Sequence, residues 1–200
     1  MIDGRTRGVP DHDALVGRGE MADLIRAHDW SASLGPIADW PGSLRTTVGL
    51  LLHSPVPIVL LWGVDGIMIY NDAYSIFAGG RHPALLGSKV RDGWPEVADF
   101  NDNVMKVGLA GGTLAYRDQE LTLHRSGQPE QVWMNLDYSP VIAEDGRPGG
   151  VIAIVVETSE AVRATNALRE SEATLRSLNA DLEREVLERT RERGRTWEVS

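Results

Sequence analysis

The residues able to do chemistry are few in this chain, and their types say more about binding than about catalysis. There is no cysteine, which excludes thiolate metal sites, disulfides, cysteine nucleophiles and cofactors held through a thiol adduct. His82 stands beside Pro83 at an expected helix start, where a capping or surface role is the simple reading. His124 alternates with Leu121 and Leu123 near an expected hairpin end, which points it to solvent. Neither stands at a spacing from a carboxylate and a nucleophile that hydrolases use. Nucleophile, base and anion cradle do not assemble anywhere, so no catalysis is expected of these residues. Asp65 and Asp145 fall in turn contexts and serve the turns.

What remains is a set suited to binding. Trp62, Tyr70, Trp94, Trp133 and Tyr138 supply flat aromatic walls, although plain core packing uses the same residues. Arg117, Gln119 and Asn135, if they face inward, offer hydrogen bonds to an acidic or amide ligand. Strand alternation puts Val132, Met134 and Leu136 on one face and Trp133, Asn135 and Asp137 on the other, without fixing which face is inside.

The elements that must position these groups follow in a legible order. Met21, Leu24 and Ile25 recur at helical spacing, and Leu44, Val48, Leu51 and Leu52 do so behind a Ser43 cap. "PIVLLWG" and "IMIYN" are β-rich runs divided by Val64-Asp65-Gly66, a hairpin signal. Asn71 or Asp72 then caps a short helix with Tyr74 and Phe77 on one face and Gly79-Gly80 at its end. Between residues 81 and 112, His82-Pro83 opens a helix that Gly87 closes, and Pro95 opens another that ends at Gly111-Gly112. Three longer alternating segments follow, separated by Ser126-Gly127-Gln128-Pro129 and Asp145-Gly146-Arg147-Pro148, and read as an antiparallel meander. Five strands with helices inserted after the second make an α+β domain on one antiparallel sheet.

From Ser159 the turn signals cease, and about 35 residues run without proline or glycine until Gly194. One long helix is expected. Leu168, Leu175, Leu178 and Leu182 fall at steps of seven, three and four, a heptad seam that calls for a partner helix, most economically the same helix of a second copy. Ser171 and Glu185 interrupt the seam, and Val186 indicates a register shift after Leu182.

Two hundred residues with 42% apolar content can bury a real core beside an appendage. A net charge of −9 disfavours nucleic acid and anionic membrane surfaces as partners. Residues 1–13 are a polar, flexible leader, and the longest apolar stretch, 56–62, contains Pro57 and is far too short to span a bilayer. A cytoplasmic chain without a membrane segment is expected.

The order of two strands, clustered short helices, a three-strand meander and a long helix resembles the PAS domain, an input module of bacterial sensor histidine kinases. "DGIMIYNDAY" is similar to the second strand and turn of PAS domains, in which the asparagine, here Asn71, ends the strand and orders the first helix. "GRHPALLGSKVRDGWPEV" resembles a segment of one kinase-associated PAS subgroup, and "DGRPGGVIAIVVETSE" resembles the last hairpin and strand. Glu157-Thr158-Ser159 stands where most of the superfamily has Asp-Ile-Thr. "LGPIADWPGSLRT" also recurs before such domains, and "SLNADLEREVLERTRER" is similar to the coiled-coil linker leading to a further PAS domain or a kinase core. The final "RTWEVS" resembles the start of a further PAS domain, so the chain is expected to be the N-terminal piece of a longer kinase. No phosphoacceptor-histidine box or Gly-rich ATP-binding segment is present.

The resemblance implies a helical leader and cap at 1–53, a PAS domain at 54–158, a signalling helix at 159–195 and the start of a following domain at 196–200. It also implies a small molecule between the sheet and the inserted helices, with Trp62, Tyr70, Trp94, Met105, Arg117 and Asn135 as candidate contacts. An adduct-forming flavin needs a cysteine that is missing, and haem needs an axial histidine where "VADFNDNVMKVGLAGG" offers only Met105, so neither is expected and the cofactor stays unnamed. Glu157 and Ser159 are the expected relay residues, and Leu168, Leu175, Leu178 and Leu182 the dimer seam. The alternative is a ligand-free dimerisation scaffold that aligns two kinase cores.

Overall fold

A computed structural model describes residues 17–197, with side chains described to residue 191. The expected leader at 1–13 lies outside the described residues, as does the end of the expected following segment. The elements are α1 (Glu20–Ala27), α2 (Gly42–Leu52), β1 (Ile58–Trp62), β2 (Ile67–Tyr70), α3 (Asp72–Ala78), α4 (Val90–Gly93), α5 (Ala98–Leu109), β3 (Leu114–Leu123), β4 (Glu130–Ile142), β5 (Pro148–Glu157) and α6 (Ser159–Trp197).

The five strands form one antiparallel sheet in the order β2-β1-β5-β4-β3. The α+β architecture expected from the sequence is thus observed. β5 closes the sheet against β1, with Leu60 opposite Ile152 and Leu61 opposite Val151. Pairing continues from β5 to β4, where Tyr138 meets Ala153. β3 carries one extra residue between Tyr116 and Gln119, and Asp118 there adopts φ 47°. The bulge reverses the side-chain parity, so Tyr116 and Leu121 face the same side although one number is even and the other odd.

β1 and β2 are buried on both faces, which is why they read as continuous apolar runs. One face, with Val59, Leu61, Met68, Met134, Leu136 and Ala153, looks toward α3, α4 and α5. Against the other face of β1 and β2 packs α2, whose Leu44, Val48 and Leu51 are fully buried, as are Met21 and Ile25 of α1. Ser43 is not the α2 cap that its position indicates. Pro41 stands at the N-cap, Ser43 lies inside the helix, and its backbone N–H (2.7 Å) and hydroxyl (2.9 Å) both donate to Glu144 in the β4–β5 turn. A distant carboxylate thus satisfies an orphan donor at the positive helix end.

The His82-to-Gly87 stretch is not helical either. It forms successive turns, because Gly87 N–H donates to Met68 O and Ser88 O accepts from Met68 N–H, both at 2.9 Å, pulling the segment onto the β2 edge. Pairing with the sheet outweighs the local proline signal. The single turn of α4 follows, then the expected helix behind Pro95.

Asn71 is the cap of α3 and does more than cap. Its side-chain oxygen accepts from the N–H groups of Tyr74 and Ile58, each at 3.0 Å. Its amide nitrogen donates to the carbonyls of Leu51 (3.1 Å), Ser54 (3.1 Å) and Val56 (2.8 Å). The residue is 1% exposed, so water replaces none of these bonds.

The helix α6 runs 39 residues and continues through Gly194, about 60 Å at the standard rise. Glu172–Arg176 (3.7 Å), Asp181–Arg184 (3.2 Å) and Glu185–Arg189 (2.5 Å) pair along its surface. No described helix is long and apolar enough to cross a membrane.

Asn71→Ala removes the Asn71 partner of five backbone groups, of which the Leu51 carbonyl alone keeps another, the Ser54 N–H, and is expected to cost about 3 kcal/mol or more. Asn71→Asp should cost at least as much, since an oxygen would then face three carbonyls. Urea denaturation of both variants checks this, and a loss below about 1 kcal/mol contradicts the role given to Asn71. The Ser43 donations hold the Glu144 carboxyl below the usual carboxylate range. Its contribution is therefore present above the ordinary glutamate pKa and lost as pH falls through the depressed value. Glu144→Gln should narrow the stability difference between neutral and acidic pH, as read by thermal melts.

Candidate functional site

The inner face of the sheet and the inserted helices enclose a cavity of about 50 Å³. Short helices can present large side chains inward only if their ends are fixed, and Asn71 fixes α3. Tyr74 and Phe77 of α3 then meet the sheet at one-turn spacing. A chain of rings results: Tyr70 to Tyr74 and Tyr74 to Phe77 are each 5.2 Å between centroids, and Phe77 to Trp94 is 5.9 Å. The indole N–H of Trp94 donates to the Tyr74 hydroxyl at 3.2 Å. On the far wall, Phe100 lies 6.3 Å from Tyr138 and 5.0 Å from Tyr116.

Polar atoms on this cavity are few. Tyr74, Trp94, Asn101 and Tyr138 carry them, and each of the four residues is less than a tenth exposed. Burial pushes the Tyr138 phenol far above its ordinary pKa, and the neighbouring Tyr74 and Tyr116 act in the same direction. Tyr74 is raised by burial too, against the opposing Trp94 hydrogen bond. Both hydroxyls stay protonated at neutral pH and can donate. No group of three or more His, Asp and Glu able to hold a metal ion occurs among the described residues.

Two arginines seal the site from outside. Arg81 lies 4.7 Å from the Trp94 ring centre and donates to both oxygens of Glu96 at 3.0 Å, to His124 O at 3.2 Å and to Gly93 O. Glu96 in turn accepts the His124 N–H at 2.8 Å. Arg125 lies 5.2 Å from the Phe77 ring centre and grips Glu130 through two bonds of 3.0 and 2.7 Å. Its remaining nitrogen donates to Phe77 O at 3.3 Å and to Glu157 at 2.8 Å. Burial disfavours the Arg125 charge, but Glu130 and Glu157 more than offset that and raise its pKa. The guanidinium thus joins the cavity wall, the β3–β4 turn and the last residue of β5.

Of the residues singled out from the sequence, Trp94 and Tyr138 line the cavity. Trp62 lies on the other side of β1, its ring against Gly149 and Gly150, where an added Cβ would approach to 2.8 Å. The Tyr70 hydroxyl is 3.0 Å from His82 Nδ1, and burial pushes its pKa up to about 12. Met105 packs beneath Gly66. Arg117 pairs with Asp137 at 2.7 Å, and Asn135 accepts the Asp118 N–H at 2.9 Å, bracing the bulge. Trp133 is half-buried on the same face as Asn135, opposite Met134. Glu157 meets Arg125, and Ser159 is the first residue of α6. Leu168, Leu175, Leu178 and Leu182 are 52–61% exposed. Asn101, Phe100, Arg81 and Arg125 were not foreseen. The only sequence signal for Asn101 is its place on the buried stripe of α5 with Val104, Met105 and Gly108.

A family model described as the PAS fold matches residues 51–163. That is more than half of the chain, and the chain belongs to this family. Among solved structures it is similar to the PAS domain of BvgS from Bordetella pertussis, with 23% identity over 64% of this chain and 97% of that one, at a TM-score of 0.47. It is also similar to a sensory box sensor histidine kinase from Vibrio cholerae, with 18% identity, 57% and 88% coverage and a TM-score of 0.40. A third is the LOV domain of a blue-light activated histidine kinase from Erythrobacter litoralis, with 15% identity, 54% and 99% coverage and a TM-score of 0.40. No curated protein matches the chain.

Arg125→Ala should cost about 1–2 kcal/mol and speed amide exchange at residues 155–158, where Glu157 loses its anchor. A double-mutant cycle with Glu157→Gln is expected to give a coupling of about 0.5–1 kcal/mol. Unchanged exchange at those residues removes the link between cavity wall and strand end.

Proposed function

We propose that the chain is the sensory and regulatory PAS module of a cytoplasmic signal-transduction histidine kinase. It responds to a small ligand or partner and relays the response through a dimeric coiled coil of α6. The observation that supports this most is Arg125, which binds Phe77 on the cavity wall and Glu157 at the end of β5. A ligand that favours one position of α3 thereby biases the strand from which the signalling helix departs in the chain. Such a ligand shifts the equilibrium only by its differential affinity for the two arrangements. Glu157 and Ser159 are the relay residues in this reading.

The exposed Leu168, Leu175, Leu178 and Leu182 support the dimer, since a helix of this length with one apolar seam gains stability by pairing that seam. Downstream PAS or kinase domains are the natural recipients of a change in that coil. The chain itself carries out no chemistry in this proposal.

A second reading has its own observation. A cavity of about 50 Å³ is far below the several hundred Å³ usual for small-molecule sites. On that basis the domain acts as a ligand-free scaffold that aligns two kinase cores.

Leu175→Asp places a charge on the seam of both helices and is expected to weaken dimerisation at least a hundredfold. Light scattering over a concentration series reads this, and an unchanged dimer eliminates the seam. Native mass spectrometry of the purified chain separates the two readings, since extra mass per chain favours the sensor and bare dimers favour the scaffold.

A further inference from the structure

We infer that the cavity selects a neutral, oxygen-bearing molecule of about three to five non-hydrogen atoms, held by the Tyr138 hydroxyl and the Asn101 side-chain amide. This inference rests on the reading of the chain as a ligand-responsive module.

Three observations converge on that chemistry. Tyr138 and Asn101 are each 7% exposed and line the same cavity from opposite elements, β4 and α5. Neither the phenol oxygen nor the side-chain amide makes a hydrogen bond to another described residue, and neither is cut off completely from the space of the cavity. A ligand oxygen that takes the place of water on these two groups can enter without leaving them unmatched. Tyr74 adds a third polar group. Its hydroxyl oxygen accepts from Trp94, which leaves its own proton to donate.

Charge narrows the class. No Asp, Glu, Lys, Arg or His lines the cavity, so an ionic ligand would be buried without a counter-ion. A cation is disfavoured further, because the guanidiniums of Arg81 and Arg125 already lie over the Trp94 and Phe77 rings that would otherwise attract it. An anion gains little from these arginines, whose charges are matched by Glu96, Glu130 and Glu157.

Size narrows it again. About 50 Å³ accommodates roughly the volume of three or four waters, which suits a short ketone, alcohol or primary amide. A hydrocarbon of equal size would fill the space and leave Tyr138 and Asn101 unmatched. The remaining walls are apolar or aromatic and hold the carbon skeleton.

The test is nuclear magnetic resonance titration of the whole 200-residue chain with four probes of nearly one size: acetone, acetamide, 2-methylpropene and acetate. The methyl groups of Met134 and the side-chain amide of Asn101 report occupancy. Saturable shifts with acetone or acetamide, at least tenfold tighter than with 2-methylpropene or acetate, are expected. Tyr138→Phe and Asn101→Leu should each weaken the oxygenated probes at least tenfold and leave 2-methylpropene unchanged. Tyr138→Phe should also leave the melting temperature nearly unchanged, because the hydroxyl it removes bonds to no other described residue. Equal binding of 2-methylpropene or acetate, or unaltered acetone binding by both variants, overturns the ligand class. Failure of every probe to saturate overturns it as well. Light scattering on the same samples keeps the wider reading separate: a dimer without probe binding leaves the scaffold standing, whereas a monomer removes the coiled coil whatever the cavity binds.

Discussion

One buried amide holds the architecture in register. Asn71 ends β2, starts α3 and ties down the loop between α2 and β1, using a single oxygen and a single nitrogen. The geometry leaves no room for substitution by a shorter or differently charged group. Because α3 supplies Tyr74 and Phe77, the aromatic wall inherits its position from this residue. The N-terminal helices depend on it too, since the carbonyl of Leu51 at the end of α2 is one of its acceptors.

From that point the domain is built outward in two layers. The helix α2 covers the outer side of β1 and β2 and α1 packs on α3, while α3, α4 and α5 line the inner side of the sheet. The central position of β5, between β1 and β4, gathers both halves of the sheet onto the strand that precedes α6. Arginine suits the remaining joints because its planar fork binds a carboxylate with two bonds and still lies flat on a ring. Arg81 and Arg125 each do both, so cavity walls and hairpin turn are joined through charge-assisted bonds rather than apolar contact alone.

Much of this was legible in the sequence, and the exceptions have physical causes. Periodicity located the five strands and the long helix because burial acts on every second or every third to fourth residue. The role of Asn71 as a cap followed from its place between a strand and an apolar helix, but its three carbonyl acceptors come from a loop that no local pattern describes. Around His82 and Pro83 the local signal indicated a helix, and pairing with the β2 edge prevailed. Aromatic content located Trp94 and Tyr138 at the cavity without distinguishing them from Trp62 and Tyr70, which pack elsewhere. The bulge at Asp118 explains why Arg117 and Asn135 escaped assignment: one added residue changes which face each neighbour occupies, and simple alternation does not reveal it. Asn101 was hidden for a different reason, as an amide on an apolar helical stripe carries no signal of what it faces.

The same bulge constrains mobility at the end of the sheet. The Thr158 hydroxyl donates to the Asp118 carboxylate at 2.7 Å, and the Thr158 N–H donates to Trp133 O at 2.7 Å. Glu157, one residue earlier, is held by Arg125 on the neighbouring turn. Three tethers on two adjacent residues oppose local fraying where the chain leaves the sheet. Because those tethers reach β3, β4 and the β3–β4 turn, freeing Thr158 from the sheet would break bonds to three separate stretches of chain at once and not to one neighbour.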